Sequence, residues 1–266
     1  MHVLVLFKEV EKMDQENKSL KTVQTRGIYL LPNLFTTAAL FAGFYAIVAA
    51  MKGYFDHAAI AVFTAMIADA LDGRIARMTN TQTAFGAQYD SLSDMVAFGI
   101  APALVAYSSS LIHLGKLGWL AAFLYVAGAA LRLARFNTQP HDEDKTYFQG
   151  LPSTSAAPVI VSAVWLCYQY DLTGTLVAIL TAFLTIIIAG FMVSNIRYYS
   201  FKQIDWKGKV PFFVLFIPIL IITAISLEPP EMLFGVFFLY AFFGPVVTLW
   251  KLRKMKRQKN KKFREE

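Results

Sequence analysis

The chain has 266 residues, 56% of them hydrophobic and only 16% charged, and carries a net charge of +7. Soluble domains run at roughly 45–50% apolar and about 25% charged, so this composition excludes an ordinary soluble fold and a disordered chain. A disulfide scaffold is excluded as well, because Cys167 is the single cysteine.

Residues 1–28 are polar, with Lys8, Glu9, Glu11, Lys12, Asp14 and Glu16 ahead of any long apolar run. They lack the pattern of a secretory leader and are expected to form a cytosolic N-terminal segment. Eight apolar stretches follow, at 29–51, 56–77, 87–112, 117–136, 155–170, 173–194, 210–227 and 231–250. Most approach the roughly 20 residues that a helix needs to cross ~30 Å of hydrocarbon; the fifth is short. The runs are continuous and do not alternate, which argues against a closed barrel and for helices. The expected fold is therefore all-α, a polytopic membrane bundle of about eight transmembrane helices. Its transmembrane domain spans 29–250, and a basic cytosolic tail spans 251–266.

Charge placement gives an independent reading of topology. With eight spans and both ends on one side, 23 of the 25 Lys and Arg residues fall on that side, leaving Lys52 and Lys116 opposite. The positive-inside rule then makes both termini cytoplasmic. The same distribution assigns the basic balance to an anionic membrane leaflet and not to nucleic acid. Nine of these cations lie between Lys251 and Arg264, where they either dock on anionic lipid or act only as a topological stop signal.

The second and third stretches break the apolar rule. They carry Asp69, Asp72, Asp90 and Asp94, with Arg74 and Arg77 between. A carboxylate within a span costs ~2.5–3.5 kcal/mol on insertion scales, so a cluster needs a compensating partner. Asp69 and Asp72 are three apart and Asp90 and Asp94 four apart, so each pair shares a helix face. The short polar segment 78–85 makes the two helices antiparallel neighbours whose acidic faces converge. Convergent oxygen ligands without nearby His or Cys suit hard divalent cations such as Mg²⁺ or Mn²⁺, and two such ions would balance most of the charge. Gly73, Ala76 and Gly86 lie on the same faces and let a ligand approach the backbone. The bland alternatives are acids in interfacial water and neutralising pairs such as Asp72 with Arg77. His57, His113 and His141 form no ligand set, and Cys167 has no basic neighbour to activate it.

These residues spell Asp69-x2-Asp72-Gly73-x2-Ala76-Arg77-x8-Gly86-x3-Asp90-x3-Asp94. The pattern resembles the signature of the CDP-alcohol phosphatidyltransferases, with every fixed position filled. Leu31-Pro32-Asn33-Leu34-Phe35-Thr36 is similar to the family's opening motif. Arg132-Leu133-Ala134-Arg135-Phe136-Asn137, followed by Phe148-Gln149-Gly150-Leu151-Pro152, resembles the branch that uses L-serine as acceptor. The resemblance covers roughly residues 27–160, and the last three stretches match only in hydropathy.

The resemblance implies a membrane enzyme that moves the phosphatidyl group of CDP-diacylglycerol to the L-serine hydroxyl, releasing CMP. It implies two divalent cations between the second and third helices, a lipid environment and a homodimer. Asp69, Asp72, Asp90 and Asp94 would be metal ligands, with Asp94 also the general base. Pro32, Asn33, Thr36, Asp72, Gly73, Ala76, Arg77 and Gly86 would line the nucleotide and donor phosphates. The motif at Pro32–Thr36 has a second reading, as a helix cap and entry turn. Arg132 and Arg135 would take the serine carboxylate or serve as positive-inside anchors; Asn137 would take the ammonium or cap its helix. Two other readings compete. A sister enzyme would use glycerol 3-phosphate or inositol phosphate and need a denser basic pocket. An ion-coupled transporter would spread its acids across the membrane depth, whereas these gather at one side.

Overall fold

A computed structural model describes residues 31–138, 147–199, 223 and 225–265. Seven long helices make up most of it. They are α1 (Leu31–Met51), α2 (Phe55–Met78), α3 (Ala84–Ser109), α4 (Lys116–Thr138), α5 (Ser153–Gln169), α6 (Thr175–Val193) and α7 (Pro229–Glu265). Seven of the eight apolar stretches thus coincide with helices; most of the stretch at 210–227 lies outside the described residues. Helices α1, α3, α4, α6 and the first 20 residues of α7 are long and apolar enough to cross a bilayer. The chain is an integral membrane protein built as a helical bundle. One small addition to the all-α expectation is an antiparallel pair, β1 (Tyr147–Gln149) with β2 (Arg197–Tyr199), in register Phe148 opposite Tyr198.

Small side chains set the packing. Ala39, Ala42, Ala46, Ala49 and Ala50 on α1, and Ala58, Ala59, Ala61, Ala65 and Ala68 on α2, are all buried. Lipid tails are as apolar as a leucine, so burial of large side chains gives no advantage there, and close backbone approach supplies the attraction instead. Gly43 of α1 sits so tightly on α3 that a Cβ there would lie 2.6 Å from Ala97 Cα. The large side chains left over, Phe41, Phe44, Leu120 and Phe183 among them, face outward.

Two of the bundle's prolines free a carbonyl that a tyrosine then engages. Pro102 in α3 has no N–H for Phe98, four residues earlier, and the Phe98 carbonyl accepts the fully buried Tyr125 hydroxyl at 3.1 Å. Pro245 in α7 has the same relation to Ala241, whose carbonyl accepts the Tyr198 hydroxyl at 2.9 Å. Backbone without water must find its partners inside the protein, and these two hydroxyls serve that need. Just ahead of Pro102, α3 widens into a π turn over Met95–Ile100.

The bundle has two unlike ends. At one, α1–α2, α3–α4 and α5–α6 are joined by short turns, each containing a glycine of positive φ: Gly53 (81°), Gly115 (56°) and Gly174 (108°). At the other end, beside the short connection from α2 to α3, the acids gather.

Candidate active site

The site forms where the last turns of α2 meet the first turns of α1 and α3. Thr83 caps α3, accepting the Gly86 amide at 2.9 Å, and so fixes where Asp90 and Asp94 stand. Asp69, Asp72 and Asp90 each offer a carboxylate oxygen, and these three atoms lie within 4.8 Å of one another. Asp72 is buried, while Asp69 and Asp90 are half-buried. Asp94 stands outside this triad, in hydrogen-bond contact with Asp69. Among the described residues no Lys or Arg pairs with Asp72, Asp90 or Asp94, so the neutralising Asp72–Arg77 pair does not form; Arg74 and Arg77 are exposed. Crowded carboxylates of this kind need cations or protons between them. Three converging hard oxygens, with neither His nor Cys, are the donor set of a divalent cation.

Of the predicted donor-side residues, Thr36 and the Gly73 amide bond the triad directly. Thr36 donates its hydroxyl to Asp72 Oδ2 at 2.7 Å, with the Pro32 carbonyl 3.2 Å away. Asn33 Oδ1 lies 3.5 Å from where a Cβ on Gly86 would stand. A Cβ on Gly73 would meet nothing within 4 Å, so this part of α2 faces open space. Ala76, one turn further, is half-buried.

The predicted acceptor-side residues are brought near but not grouped alike. Arg132 is buried, only 8% exposed, and its Nε donates to the Leu151 carbonyl at 2.6 Å. Its charge acts on Asp94 and on Tyr240 of α7. Burial of this kind is not what a positive-inside anchor at the interface requires. Arg135 is half-buried and donates to Asn195 Oδ1 at 3.3 Å. Asn137 is exposed and donates to Ser91 Oγ of α3 at 3.0 Å.

The stretch Phe148-Gln149-Gly150-Leu151-Pro152 acquires a physical reason here. Gly150 has φ of 78°, donates its N–H to Ile196 O at 2.8 Å, and sits where a Cβ would run into the Met192 carbonyl. Leu151 then donates to Phe191 O at 3.0 Å and turns its own carbonyl to Arg132. Sequence reasoning missed Ser93, Asn195 and Tyr240, and named Leu151 only within a resembling stretch, without its contact to Arg132. Ser93 and Tyr240 had a signal, as polar groups inside apolar runs; Leu151 acts through its backbone and gave none.

Residues 29–187 match the CDP-alcohol phosphatidyltransferase family. The chain belongs to that family. It is 38% identical to the CDP-diacylglycerol–serine O-phosphatidyltransferase of Helicobacter pylori over 236 residues, which covers 88% of this chain and 97% of the relative. It is 32% identical to the enzyme of the same name from Bacillus subtilis, covering 65% of this chain and 92% of the relative. It is 33% identical to the archaetidylserine synthase of Methanothermobacter thermautotrophicus, covering 67% and 72%. Members of this family use divalent metals, and the aspartate triad is suited to hold one.

Proposed function

We propose that the chain transfers the phosphatidyl group of CDP-diacylglycerol to the hydroxyl of L-serine, giving phosphatidylserine and CMP. The observation that carries this reading is the oxygen triad of Asp69, Asp72 and Asp90 with Asp94 beside it, in a family member that is similar to serine-using relatives over most of its length. The serine oxygen attacks the phosphorus that bears the diacylglycerol, and the bond to the CMP oxygen breaks. Two divalent cations, Mg²⁺ or Mn²⁺, would neutralise the charge that develops on the phosphoryl oxygens. Asp69, Asp72 and Asp90 are assigned to hold them. Asp94 is assigned to accept the serine hydroxyl proton, a role its place outside the triad supports; as a further ligand it would lose that freedom. Asn33, Gly73, Ala76, Arg77 and Gly86 line the nucleotide side, where open space beside Gly73 leaves room for it.

Arg132 and Arg135 are assigned to the serine carboxylate. Among the described residues, Leu151 engages Arg132 through Nε, and the terminal nitrogens of the guanidinium are those that a planar anion would take. Asn137 is assigned to the ammonium. The reading places residues 1–28, the site end of the bundle and the tail 251–266 on the cytoplasmic side, and treats 29–250 as the catalytic unit. It includes association into a homodimer.

The test is CMP release by the purified chain in detergent–lipid micelles with CDP-diacylglycerol, offered serine, glycerol 3-phosphate or inositol phosphate in turn. Serine alone should support turnover, and chelation should abolish it until Mg²⁺ or Mn²⁺ is restored. Turnover with a phosphorylated acceptor in place of serine would overturn the acceptor assignment.

A further inference from the structure

The metal-site reading leaves unexplained why two buried hydroxyls sit among the aspartates. Thr36 is 4% exposed and Ser93 1% exposed, and both lie on helices that pack at the site. Ser93 Oγ donates to the Thr36 carbonyl at 3.0 Å, tying α3 to α1. Thr36 Oγ1 has one hydrogen and two acceptors in reach, the Pro32 carbonyl at 3.2 Å and Asp72 Oδ2 at 2.7 Å. The carboxylate oxygen is the nearer of the two, at an ordinary length for a hydroxyl donor. The Gly73 amide also donates to Asp72. Ser93 itself lies between Asp90 and Asp94 on α3, so the chain of bonds runs from the third helix through the first to the second.

We infer that Thr36 and Ser93 are positioning residues for the metal site: Thr36 fixes the plane of the Asp72 carboxylate, and Ser93 fixes Thr36 relative to Asp90 and Asp94. Neither touches substrate. Groups that orient a metal's ligands commonly govern affinity by about 10–100-fold when removed. Here the effect is expected because Asp72, relieved of its hydroxyl partner, rotates about its own side-chain torsions and no longer presents a fixed oxygen toward Asp69 and Asp90. Thr36 thereby takes a role on the ligand and not on the donor phosphates.

The inference rests on the metal-site reading, and the experiment separates the two. Mn²⁺ binding to the purified full-length chain is measured without substrate, by loss of the free-ion paramagnetic resonance signal. Wild type, Asp72→Asn, Thr36→Val, Thr36→Ser and Ser93→Ala are compared, with thermal unfolding in chelator as the check on folding. Thr36→Val keeps the shape and loses the hydroxyl; it should weaken Mn²⁺ binding by about 10–100-fold. Thr36→Ser should stay within about threefold of wild type, and Ser93→Ala should fall between. Val at 36 binding as wild type, Ser at 36 binding as weakly as Val, or Ser93→Ala binding as wild type would overturn the inference. If Thr36→Val does not fold, the Thr36→Ser and Ser93→Ala outcomes decide it alone. Failure of wild type to bind Mn²⁺, or unchanged binding by Asp72→Asn, would sink the metal site itself.

Discussion

Tyr198→Phe isolates one hydrogen bond in the bundle. The substitution removes the hydroxyl that the Ala241 carbonyl accepts at 2.9 Å and leaves the ring, which packs so closely against Gly244 that no Cβ would fit there. Tyr198 is 1% exposed and Ala241 fully buried, so water cannot replace the lost donor. Pro245 has no N–H to offer in its place. A buried acceptor left without a partner costs about 1–3 kcal/mol, while hydrogen bonds between membrane helices average ~0.6 and reach ~1.7 kcal/mol. Since the proline denies this carbonyl any helical alternative, the expected cost lies near the upper figure, about 1.5 kcal/mol, a roughly tenfold change in the unfolding constant. The assay is reversible unfolding in mixed micelles by SDS titration. The decisive comparison repeats the substitution in a Pro245→Ala background, where residue 245 regains an N–H for Ala241. There the cost of Tyr198→Phe should drop by half or more. An equal cost in both backgrounds would refute the pairing of proline and tyrosine. Burial also pushes the Tyr198 phenol above its ordinary value. A raised acid binds its proton more tightly folded than unfolded, so its contribution is complete below about pH 10 and is lost as pH rises further. The alkaline loss of stability should therefore be shallower in Tyr198→Phe than in wild type.

Asp94→Asn should abolish turnover, by at least about 10²-fold as for loss of a general base, while Mn²⁺ binding by the triad survives; retained turnover would remove Asp94 from that role. Gly43→Ala should destabilise the bundle by about 1–3 kcal/mol, because its Cβ would fall 2.6 Å from Ala97 Cα and both are packed backbone. Unfolding midpoints equal to wild type would show that α1 and α3 can part without cost. Arg135→Ala should raise the KM for serine more than tenfold with kcat nearly kept, whereas Arg132→Ala should also lower stability, having left the Leu151 carbonyl unpartnered; the reverse pattern would exchange their roles.

Much of this architecture was legible in the chain. Continuous apolar runs located α1 to α6 and the first part of α7 to within a few residues, because a bilayer demands both length and uniform hydrophobicity. The convergence of Asp69, Asp72 and Asp90 followed from their three- and four-residue spacings and the short segment between helices. Other features were hidden for physical reasons. The β1–β2 pair is three residues long on each strand, too short to alternate visibly. Leu151 contributes a carbonyl, which every residue has, so nothing in its side chain announced it. Arg132 and Arg135 look alike in sequence, yet one is buried under a backbone acceptor and the other reaches a neighbouring amide. The triad also came together without Asp94, a distinction that spacing of four residues on one helix face could not make.

The positive-φ glycine turns at Gly53, Gly115 and Gly174 give the molecule a mechanical polarity. Three helical hairpins close on these turns at one rim, while the acids stand at the other end, where a buried side-chain bond from Ser93 ties α3 to α1. Strain introduced at one of these turns is therefore separated from the acids by most of the length of a helix.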